Sequence, residues 1–134
     1  MTVRASVVNS GYNGLMREER GQLAGDQVIS EPYILWGSIA GDVVADKGAK
    51  LYIRGAIYGD LIVRPGGRVH VFGNISGDLT LLEKTKVIHS GILGGDAINK
   101  GGRLYIDATA KVMGKVRTLD GETTIEPQAQ IAED

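Results

Sequence analysis

Between Tyr33 and Lys86, apolar and polar positions alternate in short runs that restart every 18 residues. Leu51 and Ile53 flank Tyr52, Leu61 and Val63 flank Ile62, and Ile57 stands between Gly55 and Gly59. Alternation with period two marks half-buried strands, and no 3.6-residue pattern persists over a helical length. The runs break at Gly55, at Gly59-Asp60 and at Pro65-Gly66-Gly67, which are turn chemistries. Each unit therefore reads as three short strands separated by three corners.

The units follow one another without a gap. Tyr33–Lys50, Leu51–Arg68 and Val69–Lys86 are each 18 residues long; Val87–Arg103 is one shorter, Leu104–Glu122 one longer, and a partial copy runs from Thr123 to Asp134. A fixed period over this much of a chain means stacked structural units. The pattern predicts a single-domain, all-β fold: a parallel β-helix, or triangular solenoid, of about six 18-residue coils. Residues 21–134 form it, since Gly21–Val28 (GQLAGDQV) mirrors GSIAGDVV at Gly37. Residues 1–20 are expected to be a tail or a cap, with Val7-Val8 and Leu15-Met16 as the apolar pieces for capping. Three inward columns are expected, one per face: Tyr33, Leu51, Val69, Val87 and Leu104; Ile39, Ile57, Ile75 and Leu93; Val43, Leu61, Leu79 and Ala97. Lys84-Thr85-Lys86 replaces a glycine corner next to the shortened unit, so the stack should be distorted there.

Gly41-Asp42, Gly59-Asp60, Gly77-Asp78 and Gly95-Asp96 recur at one spacing. They form a single file of carboxylates, whereas calcium needs about six to eight converging oxygens. The reading that fits is a corner, with glycine at positive φ and the aspartate accepting local backbone hydrogen bonds. At the other extreme of the chain the inward pattern continues through Ile125, Ala129 and Ile131. An uncovered last coil offers unpaired backbone and apolar core, which drives pairing. Either Glu126, Glu133 and Asp134 blunt this coil or it stacks on another chain, and a homo-oligomer is expected, through Ile125, Ala129 and Ile131 or through the opposite end.

Composition limits the function classes. With 15 basic and 16 acidic residues the net charge is −1, so total charge makes no case for nucleic acid or an anionic membrane. The absence of cysteine excludes a disulfide framework and thiol chemistry, and fits a cytoplasmic, reducing setting. Residues 1–30 lack a continuous apolar stretch of signal-peptide type, and nothing approaches the length of a membrane span.

Nor does an enzyme emerge. Of two histidines, His70 points outward between Val69 and Val71, while His89 falls on an inward position and reads as a core residue. No zinc spacing, phosphate-binding loop or carboxylate pair is present, so no catalytic residue, metal or cofactor is expected. Hexapeptide acyltransferases also use 18-residue coils, but they place a small residue after each inward aliphatic. Here those places hold Tyr52, Tyr58, Arg64, His70 and Ser76. One constellation stands out on the outward positions of the first strand: Trp36, Tyr52, Arg54, His70, Phe72 and Tyr105. Clustered aromatics with arginine are the stuff of interface hot spots, and they equally make a ladder that ties coils together.

The repeated G-x-I-x-G-D-[LV] motif, seen as GSIAGDV, GAIYGDL and GNISGDL, together with the turns PGGRVHV and KGGRLYI, resembles the bactofilin family of polymer-forming bacterial cytoskeletal proteins. The resemblance spans residues 33–125. It implies a right-handed parallel β-helix and nucleotide-independent assembly through end-to-end contacts of coils, hence a non-enzymatic structural protein. A helix of this type can also serve as a protein-binding module, for instance one that neutralises a toxin through the aromatic face.

Overall fold

The alternating runs form parallel strands that stack in the expected register. A computed structural model describes residues 10–13 and 16–133, and it is all-β, a parallel solenoid of about six turns. On the first face, Tyr33, Leu51, Val69, Val87 and Leu104 are register partners from coil to coil. On the second, Ile39, Ile57, Ile75 and Leu93 align. On the third, Val43, Leu61, Leu79 and Ala97 align. All of these side chains are buried.

The core is wider than one column per face. Strands of three or four residues on the first and third faces turn a second side chain inward, as Leu35, Ile53, Val71, His89 and Ile106, and as Ala45, Val63, Leu81 and Asn99. Two columns on each of these faces and one on the second make five in place of three, and the buried corner positions Ala49, Gly67, Thr85 and Gly102 add a sixth.

Among the described residues the first parallel strand of the stack is Met16–Glu19, ahead of Gly21. Met16–Glu19 pairs in parallel with Pro32–Leu35. Ser10–Asn13 pairs antiparallel with Met16–Glu19, so a strand from the stretch read as tail or cap lies along the first face. Val7, Val8 and Leu15 lie outside the described residues. The first coil also carries polar groups at core positions. Glu19, fully buried in the Leu35 column, accepts the Gly21 amide at 3.2 Å, and buried Gln27 stands in the Val43 column.

The Gly–Asp corners hold the coils to one another. The Asp42 carboxylate accepts the backbone amide of Asp60, Asp60 that of Asp78, and Asp78 that of Asp96, each at 2.8 Å. Asp26 and Asp96 extend the ladder to Asp42 and Lys115. The bonds thus run between coils and are not local. The glycines are needed for a different reason than expected. Of this column only Gly25 has positive φ; a Cβ on Gly59, Gly77 or Gly95 would overlap the aspartate oxygen of the preceding coil. Positive φ occurs instead at the third corner, in Gly48 and Gly66, and Lys84 occupies the same position with φ 55°.

The expected distortion lies just beyond Lys84. The strand Ala97–Ile106 runs through the corner where a residue is missing, and its register with Lys111–Ile125 shifts on both sides of Lys100. Fully buried Asn99 closes this corner. Its Oδ1 accepts the amides of Gly101 and Gly102, while its Nδ2 donates to the carbonyls of Gly102 and Glu122 and to Thr123 Oγ1.

At the C-terminal end the core column runs out to the surface. Ile125 aligns with fully buried Ile106 and is 43% exposed, while Val116, Ala129 and Ile131 pack, partly buried, on the core.

Candidate functional site

The outward positions of the first face carry a chain of ring and cation contacts that climbs the solenoid. The pleat puts Trp36, Arg54, Phe72 and Ser90 at successive levels just after the strands, and Tyr52, His70, Ile88 and Tyr105 beside them. The guanidinium of Arg20 lies 4.8 Å from the Trp36 ring centroid, and that of Arg54 lies 5.7 Å from it on the next coil. Arg54 then caps Phe72 at 3.9 Å, which is within cation–π range. Phe72 stacks on His70 at 3.8 Å, and Tyr52 is tilted 39° against His70 at 6.4 Å. Trp36 Nε1 donates to Glu18 at 2.8 Å.

Five of the six aromatic-face residues, Trp36, Tyr52, Arg54, His70 and Phe72, are thereby joined. Tyr105 is not. Ile88 separates it from His70, and its hydroxyl donates to Glu126, which raises the phenol above its ordinary pKa.

The chain of contacts continues through residues that the sequence pattern did not single out. His70 Nε2 lies 3.1 Å from Ser90 Oγ, and the Ser90 hydroxyl donates to Asp107 Oδ2. Because the serine gives its one proton to the carboxylate, His70 Nε2 carries the proton it donates to Ser90. Thr109 donates to Asp107 Oδ1 through both its amide, at 2.9 Å, and its hydroxyl, at 2.7 Å. Burial pushes Asp107 up, but the Ser90 and Thr109 hydrogen bonds outweigh it and hold the carboxyl below its ordinary value. Burial, aided by Arg54 and opposed by Asp107, lowers His70. The order His–Ser–Asp is wrong for nucleophilic catalysis, which needs the imidazole between the other two. These groups instead lock a widened corner, where Asp107-Ala108-Thr109-Ala110 replaces Ser90-Gly91 of the coil before. No sequence motif marks the cluster, since its members sit in units of unequal length.

His89 is buried in the core as expected, 1% exposed. Its Nε2 donates to the Lys111 carbonyl at 3.1 Å, and its Nδ1 has no hydrogen-bond partner among the described residues. Desolvation lowers its pKa, against opposing contributions from that carbonyl and from Asp107.

Charge is segregated in a way the total conceals. The Asp42–Asp96 ladder lines the corner between the second and third faces. Lys50, Arg68, Lys86 and Arg103 form a file beside the corner between the third and first. Among the described residues no three His, Cys, Asp or Glu side chains converge as a metal site, and no helix is long and apolar enough to cross a membrane. Comparison with family models, curated proteins and solved structures finds no match to the chain.

Proposed function

We propose that this chain is a non-enzymatic, bactofilin-like structural protein whose solenoids associate through their C-terminal coils into a scaffold. The observation that carries the reading is Ile125. It lies one coil below fully buried Ile106 in the same core column, yet is 43% exposed. Glu122–Ile125 pairs on one edge with Arg103–Ile106, and its other edge has no strand partner among the described residues. Joining this end to another copy continues both a hydrogen-bonded sheet and an aliphatic core. The opposite end differs, with its antiparallel strand and the polar Glu19 and Gln27 at core positions. The elementary contact is therefore between two C-terminal coils, an isologous pairing, and longer polymers need a second contact at the N-terminal coil. Light scattering combined with negative-stain microscopy tests this. A mass of at least twice 14.2 kDa is expected, and a single-chain mass at all concentrations contradicts it.

A second reading rests on Trp36. It is 40% exposed and held by Arg20, Arg54 and Glu18, the setting of a preorganised anchor for a protein partner. Under this reading Trp36→Ala abolishes partner capture, while charges placed at Ile125 leave it intact.

A further inference from the structure

Lys50, Arg68, Lys86 and Arg103 are register neighbours on successive parallel strands of the first face. All four are exposed, and none forms an ion pair among the described residues. Neighbouring strands lie about 4.8 Å apart, so the four cations fill a straight file of about 14 Å, which Glu122, the register partner of Arg103, closes at its C-terminal end. Like charges directly opposite one another on a sheet repel. The file is thus an arrangement that an anionic chain laid along the solenoid axis relieves. The next outward column, half-buried, is Tyr52, His70, Ile88 and Tyr105. A groove of about 150 Å³ is lined by Lys50, Arg68 and Lys86 together with Tyr52, His70 and Ile88. A second one, of about 440 Å³, is lined further along by Arg103 and Tyr105 together with Glu122.

We propose that this groove binds single-stranded nucleic acid, with phosphates along the basic file and bases over the Tyr52–Tyr105 column. The single-file geometry selects a linear ligand. A positive track with adjacent rings is the combination that binds single strands without sequence preference. A flat anionic membrane fits less well, because the cations stand in a single file and not over a broad patch. The acidic corner of a second copy is the competing occupant, since only one oxygen of each of its carboxylates accepts an amide, and self-association is therefore one arm of the test.

The test is fluorescence anisotropy of labelled oligo(dT) with the full chain across a salt series. Single strands lose about 0.7 in log–log slope per neutralised phosphate. Four contacts give a slope near −2.8, and Arg68→Gln with Lys86→Gln removes about 1.4 of it and weakens binding at least about tenfold. Both residues are exposed, so circular dichroism should be unchanged. Tyr52→Ala with Tyr105→Ala should weaken oligo(dT) and leave inorganic polyphosphate binding unaltered. The proposal is overturned by any of four results: no oligo(dT) binding at low salt; binding that the Gln variant retains; equal effects of the tyrosine variant on both ligands; or Gln-sensitive association with phosphatidylserine vesicles, or with the protein itself, in place of oligo(dT).

Discussion

The Asp60 carboxylate accepts the backbone amide of Asp78, one coil further on, at 2.8 Å. Gly77, immediately before that amide, has no room for a Cβ, because it would overlap the same Asp60 oxygen. The recurring Gly–Asp pair is therefore one device spread over two coils: a small residue that lets the carboxylate in, and an amide that it binds.

This predicts a graded mutational response at one corner. Asp60→Asn keeps an acceptor oxygen and should cost less than about 1 kcal/mol, whereas Asp60→Ala leaves the amide unpaired and should cost about 1–2 kcal/mol. Gly77→Ala must push two coils apart and should cost more than either, about 3 kcal/mol. Urea unfolding monitored by circular dichroism gives the order. Calcium should leave the melting temperature of the unmodified chain unchanged, since the carboxylate file is engaged with backbone.

A second prediction concerns the missing residue in the Val87–Arg103 unit. Asn99 satisfies five backbone and side-chain partners around the shortened corner, while Leu81, its neighbour one coil earlier, is purely aliphatic. Asn99→Leu strands several buried polar groups at once and should destabilise by about 3 kcal/mol or more. Leu81→Asn should not be tolerated either, because the corner there has its full length. Thermal melts of the two variants check the pair.

Most of the fold was legible in the sequence, and the reasons are local. Alternation and an 18-residue period require only adjacent residues to be read, and they placed Leu51, Ile57, Leu61, Val69, Ile75 and Leu79 in the core. The second inward columns are hard to read from one unit, because Ile53 and Val63 flank an outward residue and look redundant there. Glycine chemistry alone points to positive φ at these corners, whereas the constraint at Gly59 and Gly77 comes from the coil before. The aromatic face was legible as a list of residues. Its partition was not, since Tyr105 leaves the ladder for Glu126 and the ladder continues into Ser90 and Asp107. Those contacts depend on a coil shortened at one corner and widened at another, which no constant period encodes.

A third prediction follows from His89. Desolvation depresses its folded pKa below 6.5, so the unfolded chain takes up the proton first as pH falls. The unfolded state then binds more protons, and stability rises with pH across that interval. Stability should be fully present above pH 6.5 and decline as pH falls toward the folded value. His70 is depressed as well and acts in the same direction. His89→Leu, flanked in its column by Val71 and Ile106, should flatten this decline, while the lost hydrogen bond to the Lys111 carbonyl lowers stability by a pH-independent amount. Melting temperatures collected across the acid range decide it; an unchanged slope in the Leu variant contradicts the assignment.

The claim that the C-terminal coil is the self-association surface is tested most directly by the mass of the Ile125→Lys, Ile131→Lys variant. Both positions belong to the last coil, where Ile125 is exposed and Ile131 packs partly buried against the core. Charges there should cost the single chain little, because solvent reaches them, yet cannot be buried unpaired between two copies. Size-exclusion chromatography with light scattering should show a multiple of 14.2 kDa for the unmodified chain and 14.2 kDa for the variant, with the same β spectrum for both. Equal masses for the two proteins would contradict the account.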